Sequence, residues 1–202
     1  DYVVELNAAE DALDVSGWVT LTNTSGATYR NARLQLVAGD VNQVAPEMAT
    51  RGRPQLMAAT AMAKAESDVV EESLFEYHLY TLERPTTIAE NQTKQVALLS
   101  AAGVPARREL VLQGADYYYQ GLSGDLGTKL KVAAFLEFDN KEASRLGVPL
   151  PKGVARVYKK DKSGNAQFIG EDRLDHTAKN EKVRLKLGNA FDVSADKKQT
   201  DF

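Results

Sequence analysis

The segment LFEYHLYTLERPTT, residues 74–87, gathers Glu76, Tyr77, His78 and Tyr80 around one of only two histidines in the chain. An imidazole held by a carboxylate is half of many catalytic and metal sites, because the carboxylate fixes the tautomer and raises the basicity of the other ring nitrogen. As a strand, the segment places Leu74, Glu76, His78, Tyr80 and Leu82 on one face and Phe75, Tyr77, Leu79 and Thr81 on the other. Same-face neighbours are roughly 6.6 Å apart at the usual strand rise, which puts Glu76 and His78 within side-chain reach. Nothing in the sequence completes a site, since there is no GxSxG, no HExxH and no cysteine. Aromatic and β-branched residues on both faces suit a central strand packed on each side. The expectation is a hydrogen-bonded structural histidine with no metal and no cofactor.

Three other sets of residues carry chemical potential. Glu137, Asp139 and Glu142 cluster near the end of an alternating stretch, where paired carboxylates could serve glycoside hydrolysis or bind calcium. The surrounding DNKEASRLG lacks the spacing of an EF-hand loop, so a turn with solvated acids is expected. Tyr117, Tyr118 and Tyr119 could form a stacking platform for a sugar or a partner surface, although in a strand at most two of them would share a face. Met57 and Met62 lie in an Ala/Met-rich stretch that could serve as a partner-binding arm. SGDLG and KSGN are turns without phosphate-loop spacing. The triplets NTS at Asn23 and NQT at Asn91 fit the glycosylation sequon, a pattern short enough to recur by chance.

The elements that must position these residues are strands. Period-two alternation bounded by turn residues dominates the chain. EKVRLKLG puts Val183, Leu185 and Leu187 on one face and Lys182, Arg184 and Lys186 on the other. TKLKVAAFLEFDN sets Leu130, Val132, Ala134, Leu136 and Phe138 opposite Lys129, Lys131 and Glu137. GWVTLTNTSG is expected to bury Val19 and Leu21, and ARLQLVAGD to repeat the scheme with Leu34, Leu36 and Ala38. KSGN joins VARVYKKD and AQFIGED as a loop of hairpin length. Some nine to eleven strands with almost no amphipathic helix argue for an all-β fold, an antiparallel β-sandwich of the Ig-like kind. Two segments break the rhythm. Residues 44–70 form a long insertion holding all three methionines, and residues 114–126 form a glycine-rich, tyrosine-bearing connection. The second break divides the chain into a lobe over 1–113 and a stretch over 127–202 that is either a second lobe or a continuation of the same sandwich.

With 202 residues, the chain is long enough to bury a sizeable core. A net charge of −3 gives no electrostatic support to general nucleic-acid or membrane-surface binding. The charge is uneven: 12 basic and 8 acidic residues from Lys152 onward, against 13 and 20 before it. The absence of cysteine excludes disulfides, thiolate catalysis and cysteine-ligated metals. No apolar run approaches the ~18 residues needed to span a bilayer.

Five blocks in order, GWVTLTNTSGATYRNARLQLVAGDVNQV, FEYHLYTLERPTTI, KQVALL, FDNKEASRLGVPLPKGVARVYKKDKSGNAQFIGED and HTAKNEKVRLKLGNAFDV, carry a resemblance that spans nearly the whole chain. They resemble the C-terminal domain of mucoidy-inhibitor-A-like exported bacterial proteins, a domain family of unknown function. The resemblance implies a β-sandwich, a bacterial source and an export signal upstream of Asp1, and hence a periplasmic or cell-envelope setting. It further implies an N-terminal β domain, often with a coiled coil, before this part and more strands after FDV. The strands at FDV and, close to the first residue, at YVVEL are therefore expected to leave an edge that either pairs with a second copy or is blunted by the lysines and prolines nearby. The family brings no catalytic residues to transfer. Two functions follow as expectations: a non-enzymatic interaction or structural module engaging a protein or envelope component, or a carboxylate-dependent hydrolase of envelope glycan using Glu76, Glu137 or Asp139.

Overall fold

The computed structural model describes residues 1–39, 69–74, 77–82, 84–124 and 126–200. Within them the chain is all-β. Its strands are β1 (Tyr2–Leu6), β2 (Ala12–Thr22), β3 (Tyr29–Ala32), β4 (Gln35–Ala38), β5 (Val69–Leu74), β6 (Tyr77–Leu82), β7 (Thr86–Ile88), β8 (Thr93–Val111), β9 (Leu130–Asp139), β10 (Gly153–Lys160), β11 (Ala166–Leu174) and β12 (Lys182–Ala195). The helical pieces among the described residues are two 3-10 turns, Asp116–Tyr119 and Glu142–Ser144. All of the 44–70 insertion except Val69 and Val70 lies outside the described residues, as do Met57, Met62, Glu76 and the Tyr119 side chain.

Seven strands make one sheet in the order β11-β10-β1-β2-β8-β9-β12, with strands from both sides of residues 114–126 interleaved. Neighbours are antiparallel except β1 and β10, which run parallel with Val4 opposite Val157. The long strand β8 serves two partners. It pairs with β2 from Thr93 to Pro105 and with β9 from Ala106 to Val111. Pro105 sits at that switch, where its missing N–H deprives no ladder of a donor. The two ends of the strand order curl towards each other, so the sheet is nearly closed. Gly170 permits the approach, because a Cβ there would lie 2.8 Å from the Leu187 carbonyl oxygen. The Lys186 backbone N–H also donates to Asp172 at 2.7 Å across the same gap. Two small sheets, β3-β7 and β4-β6-β5, accompany the large one.

Alternation explains which side chains fill the interior. Tyr2, Val4 and Leu6 of β1 meet Leu13 and Val15 of β2, Leu136 and Phe138 of β9, Val157 of β10 and Val183 and Leu185 of β12 in a single core cluster. In β2 the buried residues come earlier than the sequence pattern suggests: Leu13 and Val15 are buried, while Val19 and Leu21 are only half-buried. The strand begins at Ala12, and its first half is the part facing the closed interior. An open edge at Tyr2–Leu6 is likewise corrected, because β1 pairs with β10 on one side and β2 on the other.

The LGVPLPKG segment is tied down from two directions. Leu150 exchanges both backbone bonds with Thr177, while the carbonyls of Pro149 and Pro151 accept the hydroxyls of Tyr80 at 2.6 Å and Tyr2 at 2.5 Å. Burial pushes both phenols up from their ordinary range. Asn23, in the first sequon, is buried; its side-chain amide donates to the carbonyls of Ala27, Ile88 and Ala89. That amide is a clamp between the β2 turn and the end of β7.

Candidate functional site

His78 makes a carboxylate contact with Glu71, while the expected pairing with Glu76 falls outside the described residues. Its Nδ1 lies 2.8 Å from Glu71 Oε1. In the β5–β6 register Ser73 faces His78 and Glu71 faces Tyr80, so Glu71 reaches His78 along the diagonal of the same face. His176 has a separate role, its Nδ1 accepting the Lys152 backbone N–H at 3.3 Å. Among the described residues no group of three or more His, Asp or Glu side chains is placed to hold a metal ion.

The richest arrangement lies on the outer face of β8, β9 and β12. Cross-strand register sets Arg107 opposite Glu137 and Glu137 opposite Arg184, then Glu109 opposite Phe135 and Phe135 opposite Lys186. At one end Glu137, with a side chain only 7% exposed, bonds to Arg107 and lies 2.9 Å from Lys182. The Lys182 hydrogen bond, seconded by Arg107, holds this carboxyl below the usual glutamate range. Asp139 pairs with Lys141 at 3.1 Å, and Glu142 with Lys179 at 3.3 Å. Each member of the acidic set thus has its own cation. The expectation of freely solvated acids is corrected for Glu137, which is buried and bonded to two cations.

At the other end the same face opens into a groove of about 640 Å³. Leu112, Leu126, Leu130 and Phe135 are among the side chains that line it. Arg184 lies 4.1 Å above the Phe135 ring and 2.7 Å from Glu109, so its charge is partly used within the sheet. Lys131 and Lys186 project into the groove from β9 and β12. Tyr117 and Tyr118 form one wall. They belong to a 3-10 turn within the 114–126 connection, and their rings meet edge to face at 4.5 Å between centroids. Lys197 fixes this wall from the C-terminal side: its Nζ donates to the Gln113 carbonyl at 2.7 Å and to the Tyr118 hydroxyl at 2.9 Å. The Lys197 hydrogen bond lowers the pKa of the Tyr118 phenol, while the hydrogen bond with Tyr118 raises that of Tyr117.

The sequence reading singled out two of these aromatic residues and missed the cations beside them. The available signal was the basic excess from Lys152 onward and the outward lysines and arginines of TKLKV and KVRLK. Comparison with protein-family models, with curated proteins and with solved structures finds no match to this chain. No helix among the described residues is long and apolar enough to cross a membrane.

Proposed function

We propose that this chain is a non-enzymatic interaction module of an exported bacterial envelope protein of the mucoidy-inhibitor-A-like kind, and that it engages its partner through the groove walled by Tyr117 and Tyr118. The observation that carries the reading is a groove lined by leucine and phenylalanine side chains, two exposed lysines and two tyrosines. Such a surface is built to exclude water from a partner and to select its charge. On this reading the two stretches of sheet that share β8 act as an Ig-like sandwich, a scaffold whose outer face is free for contact. The outer edges of β4 and β5 are then the places where a second copy could pair.

The hydrolase alternative has less support. A general acid needs a raised carboxyl pKa, whereas Glu137 is shifted down by its two cations. The test is paired. Tagged protein expressed in its bacterial host is cross-linked and its partners compared between wild type and Phe135→Ala, and purified protein is assayed for reducing ends released from envelope glycan. A specific partner lost in the variant, with no glycan cleaved, is the expected result. Glycan cleavage abolished by Glu137→Gln would overturn the proposal.

A further inference from the structure

The groove's chemistry narrows the partner, and this inference rests on the interaction-module reading above. From the geometry we infer that the groove binds an extended acidic peptide, with carboxylates alternating with aliphatic side chains. The first ground is charge. Lys131, Arg184, Lys186 and Lys197 all line the groove, and no Asp or Glu does among the described residues. Arg184 is offset by Glu109, and Lys197 is engaged by a carbonyl and a phenol. Lys131 and Lys186 are exposed and have no ion-pair partner among the described residues. Two exposed cations without counter-charges among the described residues favour an anionic occupant.

The second ground is the make-up of the lining side chains, which separates a peptide from a glycan. A sugar polymer presents hydroxyls that need acceptors, and carboxylates usually provide them. Here the described lining offers the amides of Gln113 and Asn189 and otherwise aliphatic or aromatic carbon beside the cations and the two phenols. Leucine and phenylalanine surfaces are complementary to aliphatic side chains, which bury apolar area there.

The third ground is the rim. Between the pairs Asn189↔Ala133 and Ser194↔Lys131, β12 inserts residues 190–193, and Phe191 within them is 99% exposed. Lys131, Ala133 and Asn189, which flank this insertion in the pairing, all line the groove, so the insertion leaves the strand beside it. An aromatic side chain so fully in water is the kind of anchor that a protein interface covers.

The test is fluorescence anisotropy with three labelled probes: a short peptide of alternating glutamate and leucine, the same peptide with glutamine for glutamate, and an oligogalacturonate as the acidic glycan. The glutamate peptide should bind at least about tenfold more tightly than the glutamine one, weakening as salt rises from about 50 to about 200 mM. Lys131→Glu combined with Lys186→Glu should weaken it by about tenfold or more, with an unchanged unfolding midpoint because both side chains are exposed. Tyr117→Ala, a second variant at an exposed position, should weaken it severalfold. Equal affinity for the two peptides, no binding of the glutamate peptide up to about 1 mM, or indifference to both variants overturns the inference. Binding of the oligogalacturonate in preference to the peptide overturns it too, yet leaves the interaction-module reading standing. That reading falls only on the glycan-cleavage result.

Discussion

Asn140 is fully buried, at 0% exposure, and sits where three chain segments meet at the end of β9. Its side-chain amide donates to the carbonyls of Val148 at 2.7 Å and Ala178 at 2.9 Å, and its side-chain oxygen accepts the Gly147 N–H at 3.0 Å. Its backbone bonds, to Glu181 and from Asn180 at 2.8 Å each, would survive any substitution that keeps the main chain in place. Asn140→Ala therefore strands three partner groups in a site without bulk water. Each stranded group costs about 1–3 kcal/mol, and water entering the vacated space recovers part of that, so the net loss should be about 3–5 kcal/mol. For a domain of this size that is a fall in Tm of about 6–20 °C. Urea unfolding followed by the fluorescence of Trp18, the single tryptophan, measures it. Asn140→Asp adds a signed control. The new carboxylate would face two carbonyls in a buried site, which pushes its folded pKa above the unfolded value of about 3.9. Relative to wild type, that variant should be least impaired below pH ~4 and lose stability as pH rises through its raised folded pKa. A loss below about 1 kcal/mol for the alanine variant, or an aspartate variant as stable as wild type at pH 7, would refute the junction argument.

Three other outcomes follow from the same geometry. Glu137 has its folded pKa lowered, so its contribution to stability is present above the unfolded value of about 4.3 and lost as pH falls through the folded one; Glu137→Gln should flatten that acid limb in a pH series of unfolding midpoints, and an unchanged slope would dismiss the Lys182–Glu137–Arg107 coupling. Gly147, at φ +72, would carry a Cβ 2.5 Å from the Glu142 backbone nitrogen, whereas Gly164, at φ +85, would meet nothing within 4 Å. Gly164→Ala should cost about 1 kcal/mol from its left-handed backbone alone and Gly147→Ala distinctly more, a ranking that calorimetry checks and that equal losses would contradict. Tyr80→Phe should cost about 1–2 kcal/mol by orphaning the Pro149 carbonyl, read as a shift in the urea midpoint with no change in slope.

What the sequence made legible is what alternation alone encodes. The faces of KVRLKLG and of LKVAAFLEFD were readable because a half-buried strand must put its apolar residues on every second position. Alternation carries no information about which strands are neighbours. That β1 would run parallel to β10, or that β8 would exchange β2 for β9 at Pro105, depends on pairings far apart in sequence. The site was hidden for the same reason. TKLKV and KVRLK each read as an ordinary solvated face, and only the register that sets Lys186 opposite Phe135 joins them into one cationic surface. The tyrosines show the converse failure. DYYYQ is legible as an aromatic connection, but its local geometry is not, because Gly114 and Gly121 bracket a 3-10 turn that no apolar period supports. What holds that turn against the sheet is Lys197, 79 residues further on, through one carbonyl and one phenol. A local pattern cannot announce a contact of that span. The groove is therefore a property of the closed fold, and a partner would recognise it only after β9 and β12 have paired.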